Sequence, residues 1–187
     1  MKLVILDRDG VINFDSASFI KSPSEWIPIP GSLEAIALLN QSGFRVALAT
    51  NQSGIARGLF DMVTLNSIHD KMHRALALVG GRIEAIFYCP HAADDHCNCR
   101  KPKIGMLEDI SRRFSIELSE VYGVGDAYRD LKAFADAGCK PILVLTGKGE
   151  ETLAQGQSPE KRLPENTLVF VDLAEAAQHI ISQADKT

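Results

Sequence analysis

The sequence predicts an α/β fold, a Rossmann-like doubly wound parallel sheet built by a single domain over residues 1–187. Three observations predict it. Short apolar runs recur with polar loops and helical patterns between them, a βα rhythm that favours a parallel sheet covered by helices on both faces. The main runs end in residues suited to a phosphate, and ligands of such sheets sit beyond the carboxyl ends of the strands. A chain of 187 residues, 45% hydrophobic and 24% charged, can also bury one full core without disulfides.

Lys2 to Leu6 reads as a buried strand, and Asp7-Arg8-Asp9-Gly10 as the turn that leaves it. Pro30-Gly31-Ser32 marks a break and a helix N-cap, followed by Leu33, Ile36, Ala37 and Leu39 at helical spacing until Gly43. Arg45 to Ala49 is a second apolar run, ending in Thr50-Asn51-Gln52-Ser53-Gly54, and a longer helical pattern covers Met62 to Val79. Then come a strand at Ile83 to Tyr88, a polar loop to Pro102 and a helix from Gly105 to Phe114. A strand at Val121 to Val124, a helix from Tyr128 to Ala137 and a strand at Pro141 to Leu145 follow. Gly147 to Asn166, rich in Gly, Pro and charge, reads as a surface excursion before a last strand at Leu168 to Val171 and a closing helix at Leu173 to Ala184.

Four strand ends carry chemistry. Asp7 and Asp9 lie two apart in extended backbone, which points both carboxylates to one face; that crowding calls for a hard divalent cation, and Mg²⁺ is the usual choice where phosphate completes the ligands. Thr50 can donate its hydroxyl to a phosphoryl oxygen, and the backbone amides of Asn51, Ser53 and Gly54 can form an anion-binding nest. In Arg100-Lys101-Pro102-Lys103 a lysine can neutralise charge on a transferring group, although a solvated basic run would look the same. Gly123-Val124-Gly125-Asp126 offers a further metal ligand in Asp126, with Asp130 either supporting the site or serving as an acid near a helix N-terminus.

Taken together these residues resemble the haloacid dehalogenase (HAD) superfamily of aspartate-nucleophile phosphohydrolases, through DRDGV at Asp7 to Val11, Thr50, Lys101 of CRKP and GVGDAYRD at Gly123 to Asp130. The resemblance implies that Asp7 becomes an aspartyl-phosphate. Asp9 then protonates the leaving oxygen and later activates water, while Thr50 and Lys101 hold phosphoryl oxygens. Mg²⁺ would be held by Asp7, the Asp9 carbonyl and Asp126. The physical logic agrees: a carboxylate approaching a phosphate dianion is repelled unless a metal and a lysine screen it.

Cys89, His91, Cys97 and Cys99 offer three thiolates and an imidazole within residues 89–99, enough for a closed, structural tetrahedral Zn²⁺ site. His96 is the weaker imidazole and reads as solvated, and Cys139 as a small buried apolar side chain. Because Arg100 and Lys101 follow Cys99 directly, such a metal would also fix the backbone that carries both cations.

Within the superfamily, DRDGVIN, TNQSGIARG at Thr50 to Gly58 and the CPHx₅CxCRKP pattern look like the D-glycero-D-manno-heptose 1,7-bisphosphate 7-phosphatases of the nucleotide-heptose route to lipopolysaccharide. Histidinol-phosphate phosphatase, which shares the aspartates and the zinc loop, is the alternative. A phospho-accepting receiver-like domain is the alternative of another class. The heptose resemblance implies substrate contacts at Asp15, Ser16, Ala17, Ser18, Asn51, Gln52 and Ser53. Arg57 and Arg100 suit a second phosphate, since an arginine fork matches phosphate oxygens. Phe14-Asp15-Ser16-Ala17-Ser18-Phe19 departs from the Gly-Tyr step expected there. No insertion is long enough for a cap, so the expected site is open and takes a small phosphosugar. A net charge of −4 disfavours nucleic acid, and no apolar stretch reaches membrane-spanning length. The expectation is a cytoplasmic, monomeric enzyme.

Overall fold

The computed structural model describes residues 1–184; residues 185–187 of the expected domain lie outside the described residues. Six strands, β1 (Lys2–Leu6), β2 (Phe44–Asn51), β3 (Ala85–Cys89), β4 (Tyr122–Gly125), β5 (Lys140–Val144) and β6 (Leu168–Phe170), form one sheet in the order β3-β2-β1-β4-β5-β6. Every pairing is parallel. The order reverses direction at β1, so the crevice between β1 and β4 is where such a sheet gathers ligands.

Strand alternation sets the two layers. Val4 and Leu6 of β1 face one core with α1 (Ser32–Gln41), α2 (Met62–Leu78) and α6 (Leu173–Ala184), contributing Ile36, Leu39, Ile68, Met72, Leu76 and Ile180. Leu3 and Ile5 face the other with α3 (Gly105–Phe114) and α4 (Tyr128–Asp136), through Met106, Leu107, Ile110 and Phe134. Cys139 is buried in this second core, as expected, and burial pushes its thiol up to about 12.

Two expectations change. The α1 N-cap is Gly31 at φ +83°, with no side-chain cap; Ser32 lies inside the helix and its hydroxyl donates to the Ile12 carbonyl at 2.6 Å. That bond, with Ile29 N to Ile12 O at 2.9 Å and Phe14 N to Ile27 O at 3.0 Å, folds the β1–α1 connection back over the strand ends. The connection holds only a short 3₁₀ turn (Pro23–Glu25) and the fully buried Trp26, so no cap stands over the sheet. The stretch read as a surface excursion contains α5 (Gly149–Gln155), which buries Gly149 and Thr152; the Thr152 hydroxyl donates to the Asp126 carbonyl at 2.8 Å. Most of the stretch is exposed, as expected of a surface excursion; what changes is its start, where a tight return brings Lys148 N and Thr152 to Asp126.

Candidate active site

The carboxyl ends of β1 and β4 place Asp7 and Asp126 side by side, and the first turn of α4 adds Asp130. Oxygen atoms of these three buried acids lie within 4.8 Å of one another. Lys101 enters from the β3–α3 loop, completely buried, with its Nζ 3.1 Å from Asp7 Oδ1 and 2.8 Å from Asp130 Oδ1. Asp130 Oδ2 also accepts from Ala127 N at 3.1 Å, so this acid both closes the N-terminus of α4 and anchors the lysine.

Charge is unevenly distributed among the acids. Burial pushes Asp7 up to about 6, against the pull of Lys101. Burial, with Asp130 and Asp7 close by, pushes Asp126 up to about 8. For Asp130 burial is outweighed by Lys101 and Arg129, which hold it below its usual range. Burial would lower Lys101, but Asp130 and Asp7 hold it above its ordinary value. Asp126 Oδ2 accepts from Lys148 N at 2.8 Å, whereas its Oδ1 is buried with no hydrogen-bond partner. An orphaned carboxylate oxygen beside two further acids is costly, and a hard cation with oxygen ligands relieves both conditions. Gly10 (φ +83°) and Gly147 (φ +58°) allow this approach, for a Cβ on either would sit 2.0 or 2.2 Å from Asp126 Oδ2.

Asp9 corrects the expected crowding with Asp7. Its carboxylate is taken by the intervening Arg8: Nε and Nη2 donate to Oδ1 at 3.0 and 2.9 Å, and Nη2 to Oδ2 at 3.1 Å. Asn13 Nδ2 donates to Oδ1 at 2.9 Å and Gln52 Nε2 to Oδ2 at 3.0 Å. Burial is thereby outweighed, and Asp9 lies below the usual carboxylate range. The repulsive cluster is Asp7 with Asp126 and Asp130, drawn from β1, β4 and α4; spacing within one turn could not foresee it.

Thr50, at the end of β2, is buried, and its Oγ1 accepts from Gln52 Nε2 at 2.9 Å, leaving the hydroxyl proton to donate. Asn51 spends its side chain on the backbone of Lys101, accepting from Lys101 N and donating to Lys101 O, both at 3.0 Å. It is a clamp between β2 and the lysine loop.

A cavity of about 240 Å³ opens over these residues, lined by Asp7, Asp9 and the rim. Of the expected contacts, Asp15, Ser16, Ala17, Asn51, Gln52, Ser53, Arg57 and Arg100 line it, and Ser18 does not. Ser18 N donates instead to Ser16 Oγ at 3.1 Å, at the exposed outer side of the loop. Phe19, Ile20, Arg129 and Lys148 line the cavity without having been foreseen. Phe19 lies under the Arg57 guanidinium, 5.8 Å from its ring centre, and Lys148 Nζ pairs with Asp15 Oδ2 at 3.3 Å. Arg129 precedes Asp130 in the first turn of a helix, where side chains tilt toward the N-terminus and hence toward the strand ends. Lys148 lies just beyond β5, in a segment whose composition reads as a surface excursion.

The β3–α3 loop brings Cys89, His91, Cys97 and Cys99 together. Cys89 Sγ lies 3.6 Å from Cys97 Sγ, 3.2 Å from Cys99 Sγ and 3.5 Å from His91 Nδ1, which is 3.3 Å from Cys99 Sγ. Bonds of about 2.3 Å to sulfur give tetrahedral edges near 3.8 Å, so the four atoms need only a slight outward adjustment to hold zinc. His96 is exposed, at φ +50°, and is not one of the four residues whose ligand atoms converge. Arg100 Nη1 donates to His91 O at 3.2 Å, and Lys103 Nζ to Cys97 O at 2.6 Å, tying the cations that follow to the loop.

The HAD-hydrolase-like family profile matches residues 98–176. The D-glycero-beta-D-manno-heptose-1,7-bisphosphate 7-phosphatase of Bordetella bronchiseptica is 60% identical over 184 residues, covering 98% of this chain and 100% of that protein. The protein of the same name from Neisseria meningitidis serogroup A is 53% identical over 183 residues, covering 98% of this chain and 96% of the relative. The crystal structure of the D,D-heptose 1,7-bisphosphate phosphatase from B. bronchiseptica, complexed with magnesium and phosphate, matches with a TM-score of 0.94 at 60% identity, covering 98% of this chain and 99% of that one.

Proposed function

This chain belongs to the heptose-1,7-bisphosphate 7-phosphatase family of HAD-like hydrolases, and from that premise we propose that it removes the 7-phosphate of the β anomer of D-glycero-D-manno-heptose 1,7-bisphosphate. The product feeds nucleotide-heptose synthesis for the lipopolysaccharide core. The carrying observation is Lys101, buried between Asp7 and Asp130 beside the unpartnered Asp126 Oδ1, beneath a cavity that Asp7 lines and that has four further cations at its rim.

Asp7 and Asp126, with the Asp9 backbone carbonyl, would hold Mg²⁺, which when bound screens the charge between carboxylate and phosphate. The Asp7 carboxylate attacks phosphorus, and the bond from phosphorus to the sugar oxygen breaks as an aspartyl-phosphate forms. Lys101 and the Thr50 hydroxyl stabilise the phosphoryl oxygens. Asp9, held as a carboxylate at rest by Arg8, takes a proton from solvent as the dianionic ester enters, gives it to the leaving oxygen, and takes one from the water that cleaves the acyl phosphate. Cys89, His91, Cys97 and Cys99 would hold Zn²⁺ as a structural metal, since four protein ligands would leave no position for water. Arg57 and Arg100 face the second phosphate. Residues 1–187 act as one domain, a cytoplasmic monomer acting on a small phosphosugar.

The test is phosphate release with Mg²⁺ from both heptose bisphosphate anomers, histidinol phosphate and fructose bisphosphate. The expected result is fastest turnover of the β anomer, a loss of at least about 10³-fold in Asp7→Asn, and retention of configuration at phosphorus from two successive displacements. Preference for histidinol phosphate overturns the substrate, and net inversion overturns the covalent step. A chain that keeps its phosphate without turnover would act as a receiver instead.

A further inference from the structure

One ionisable group reaches the site from outside the strand ends. His69 is buried within α2, among the apolar residues that pack this helix on the sheet, and its Nε2 lies 3.2 Å from Arg8 Nη1. Arg8 is itself fully buried and must place its donors on acceptors. Nε and Nη2 are used on Asp9, and Nη2 also donates to Gln52 Oε1 at 3.3 Å. Nη1 turns the other way, to His69. A guanidinium does not give up its proton in a protein, so Nη1 is the donor and His69 Nε2 the lone pair. The ring is therefore neutral, with its hydrogen on Nδ1. Its surroundings agree: burial, with Arg8 and His73 close by, lowers His69 to about 4.

A leucine or methionine would fill the same space against the sheet but would leave Nη1 facing apolar carbon. Arg8 is a planar fork, so a partner on each side fixes the plane, and the plane fixes both oxygens of Asp9. Gln52 closes the ring, donating to Asp9 Oδ2 at 3.0 Å and to Thr50 Oγ1 at 2.9 Å.

We propose that His69 is a positioning residue for proton transfer: by accepting from Arg8 it orients the guanidinium that aims the Asp9 carboxyl at the leaving oxygen. This rests on the reading of Asp9 as acid and base. His69 touches no reacting atom, so its effect falls on steps that need the proton and not on substrate affinity.

Two esters separate these steps. An alkyl phosphate needs its leaving oxygen protonated, whereas 4-nitrophenyl phosphate departs as a stable phenolate. His69→Leu in the full chain with both metals is expected to lower kcat for the alkyl ester about tenfold with KM within about twofold. Single-turnover release of 4-nitrophenolate should change less than about twofold, because that step uses no acid. His69→Gln, which restores an acceptor, should recover most of the loss. Asp9→Asn run in parallel distinguishes the two readings: if it spares the alkyl ester, Asp9 is not the acid and the mechanism fails first. With Asp9→Asn impaired as expected, an unchanged kcat in His69→Leu, or an equal loss with both esters, overturns the role of His69. Should His69→Leu not fold, nitrogen chemical shifts of the wild-type ring decide: a neutral ring protonated at Nδ1 supports the contact, and a charged ring or an Nε2–H tautomer overturns it.

Discussion

The floor of the cavity and its rim are built in opposite ways. On the floor, Lys101, Asp7, Asp126 and Asp130 are buried, and each is fixed by partners from different strands. At the rim, Arg57, Arg100 and Lys148 are partly or well exposed and held by the Phe19 ring, the His91 carbonyl and Asp15 respectively, while the half-buried Arg129 reaches the floor, its Nε 3.9 Å from Asp130 Oδ1. A preset floor suits a phosphoryl group, whose charge is the same in every substrate. A loosely held rim suits recognition of whatever the phosphate is attached to, because few interior contacts constrain its side chains. Substitutions on the floor should therefore damage stability and turnover together, and those at the rim should change affinity alone.

The largest effect is expected at Lys101. In Lys101→Met two buried acids, Asp7 and Asp130, lose their common cation, and breaking a buried pair costs about 3–5 kcal/mol. Denaturant unfolding should read this loss, and kcat should fall by at least about 10²-fold because a phosphoryl stabiliser is gone. Adding Asp130→Asn should return much of the stability and none of the turnover. If both return, the lysine serves only the fold.

The zinc loop tests where floor and rim join. Lys101 is held independently by the Asn51 clamp and by two ion pairs, whereas Arg100 depends on His91 within the loop. Loss of zinc in Cys97→Ser should lower kcat/KM about tenfold, in the range for removing support behind a site. Most of this should appear in KM, since Arg100 is displaced further than Lys101. An unchanged kcat/KM in zinc-free protein would break the link between loop and site.

How far these regions were legible in the sequence follows the same division. Asp7, Thr50, Lys101 and Asp126 each follow the end of an apolar run or a cysteine motif, and the strand-end rule brings them together whatever the intervening loops do. Gly105–Phe114 and the start of the last helix at Leu173 were readable to the residue because amphipathic periodicity persists there. Arg8, His69 and Lys148 were not. Arg8 looks like a turn residue, His69 like one more side chain on an amphipathic helix, and Lys148 begins a segment whose composition is that of a loop. Their roles come from contacts across 61 positions for Arg8 with His69 and 22 for Lys148 with Asp126, which no local pattern carries.

The floor should also carry a pH signature. Asp126 is pushed up to about 8, so between its ordinary value and pH 8 the folded chain keeps a proton that the unfolded chain has released, and stability falls as pH rises. Asp7, pushed up to about 6, adds to this slope only below pH 6. His69, lowered from 6.5 to about 4, opposes it between those values, because there the unfolded chain binds the extra proton. Above pH 6.5 Asp126 is the one floor acid still titrating, while the zinc-loop thiols, with Cys97 lowered to about 7, act there with the opposite sign. In zinc-loaded, magnesium-free protein Asp126 should contribute a loss of about 1 kcal/mol per pH unit from 6.5 to 8, read as the difference in denaturant midpoints from Asp126→Asn, in which the zinc-loop contribution cancels. Mg²⁺ should flatten that slope, and a slope equal in both proteins would place its origin elsewhere.

Lys148 belongs to both regions at once and gives the smallest and sharpest test. Its backbone N–H donates to Asp126 on the floor, while its ammonium pairs with Asp15 at the rim. Lys148→Ala keeps the first contact and removes the second, and a partly exposed pair is worth about 1 kcal/mol or less. The expected result is a two- to fourfold rise in KM for the bisphosphate with kcat and unfolding midpoint unchanged, about 0.4–0.8 kcal/mol of binding. Arg129→Ala should raise KM further, because Arg129 lies over the floor and shares the field of Asp7 and Asp130. If a monophosphate ester suffers the same rise as the bisphosphate, these cations grip the phosphoryl group being transferred. If the rise is confined to the bisphosphate, they hold the second phosphate, and floor and rim divide the substrate between them.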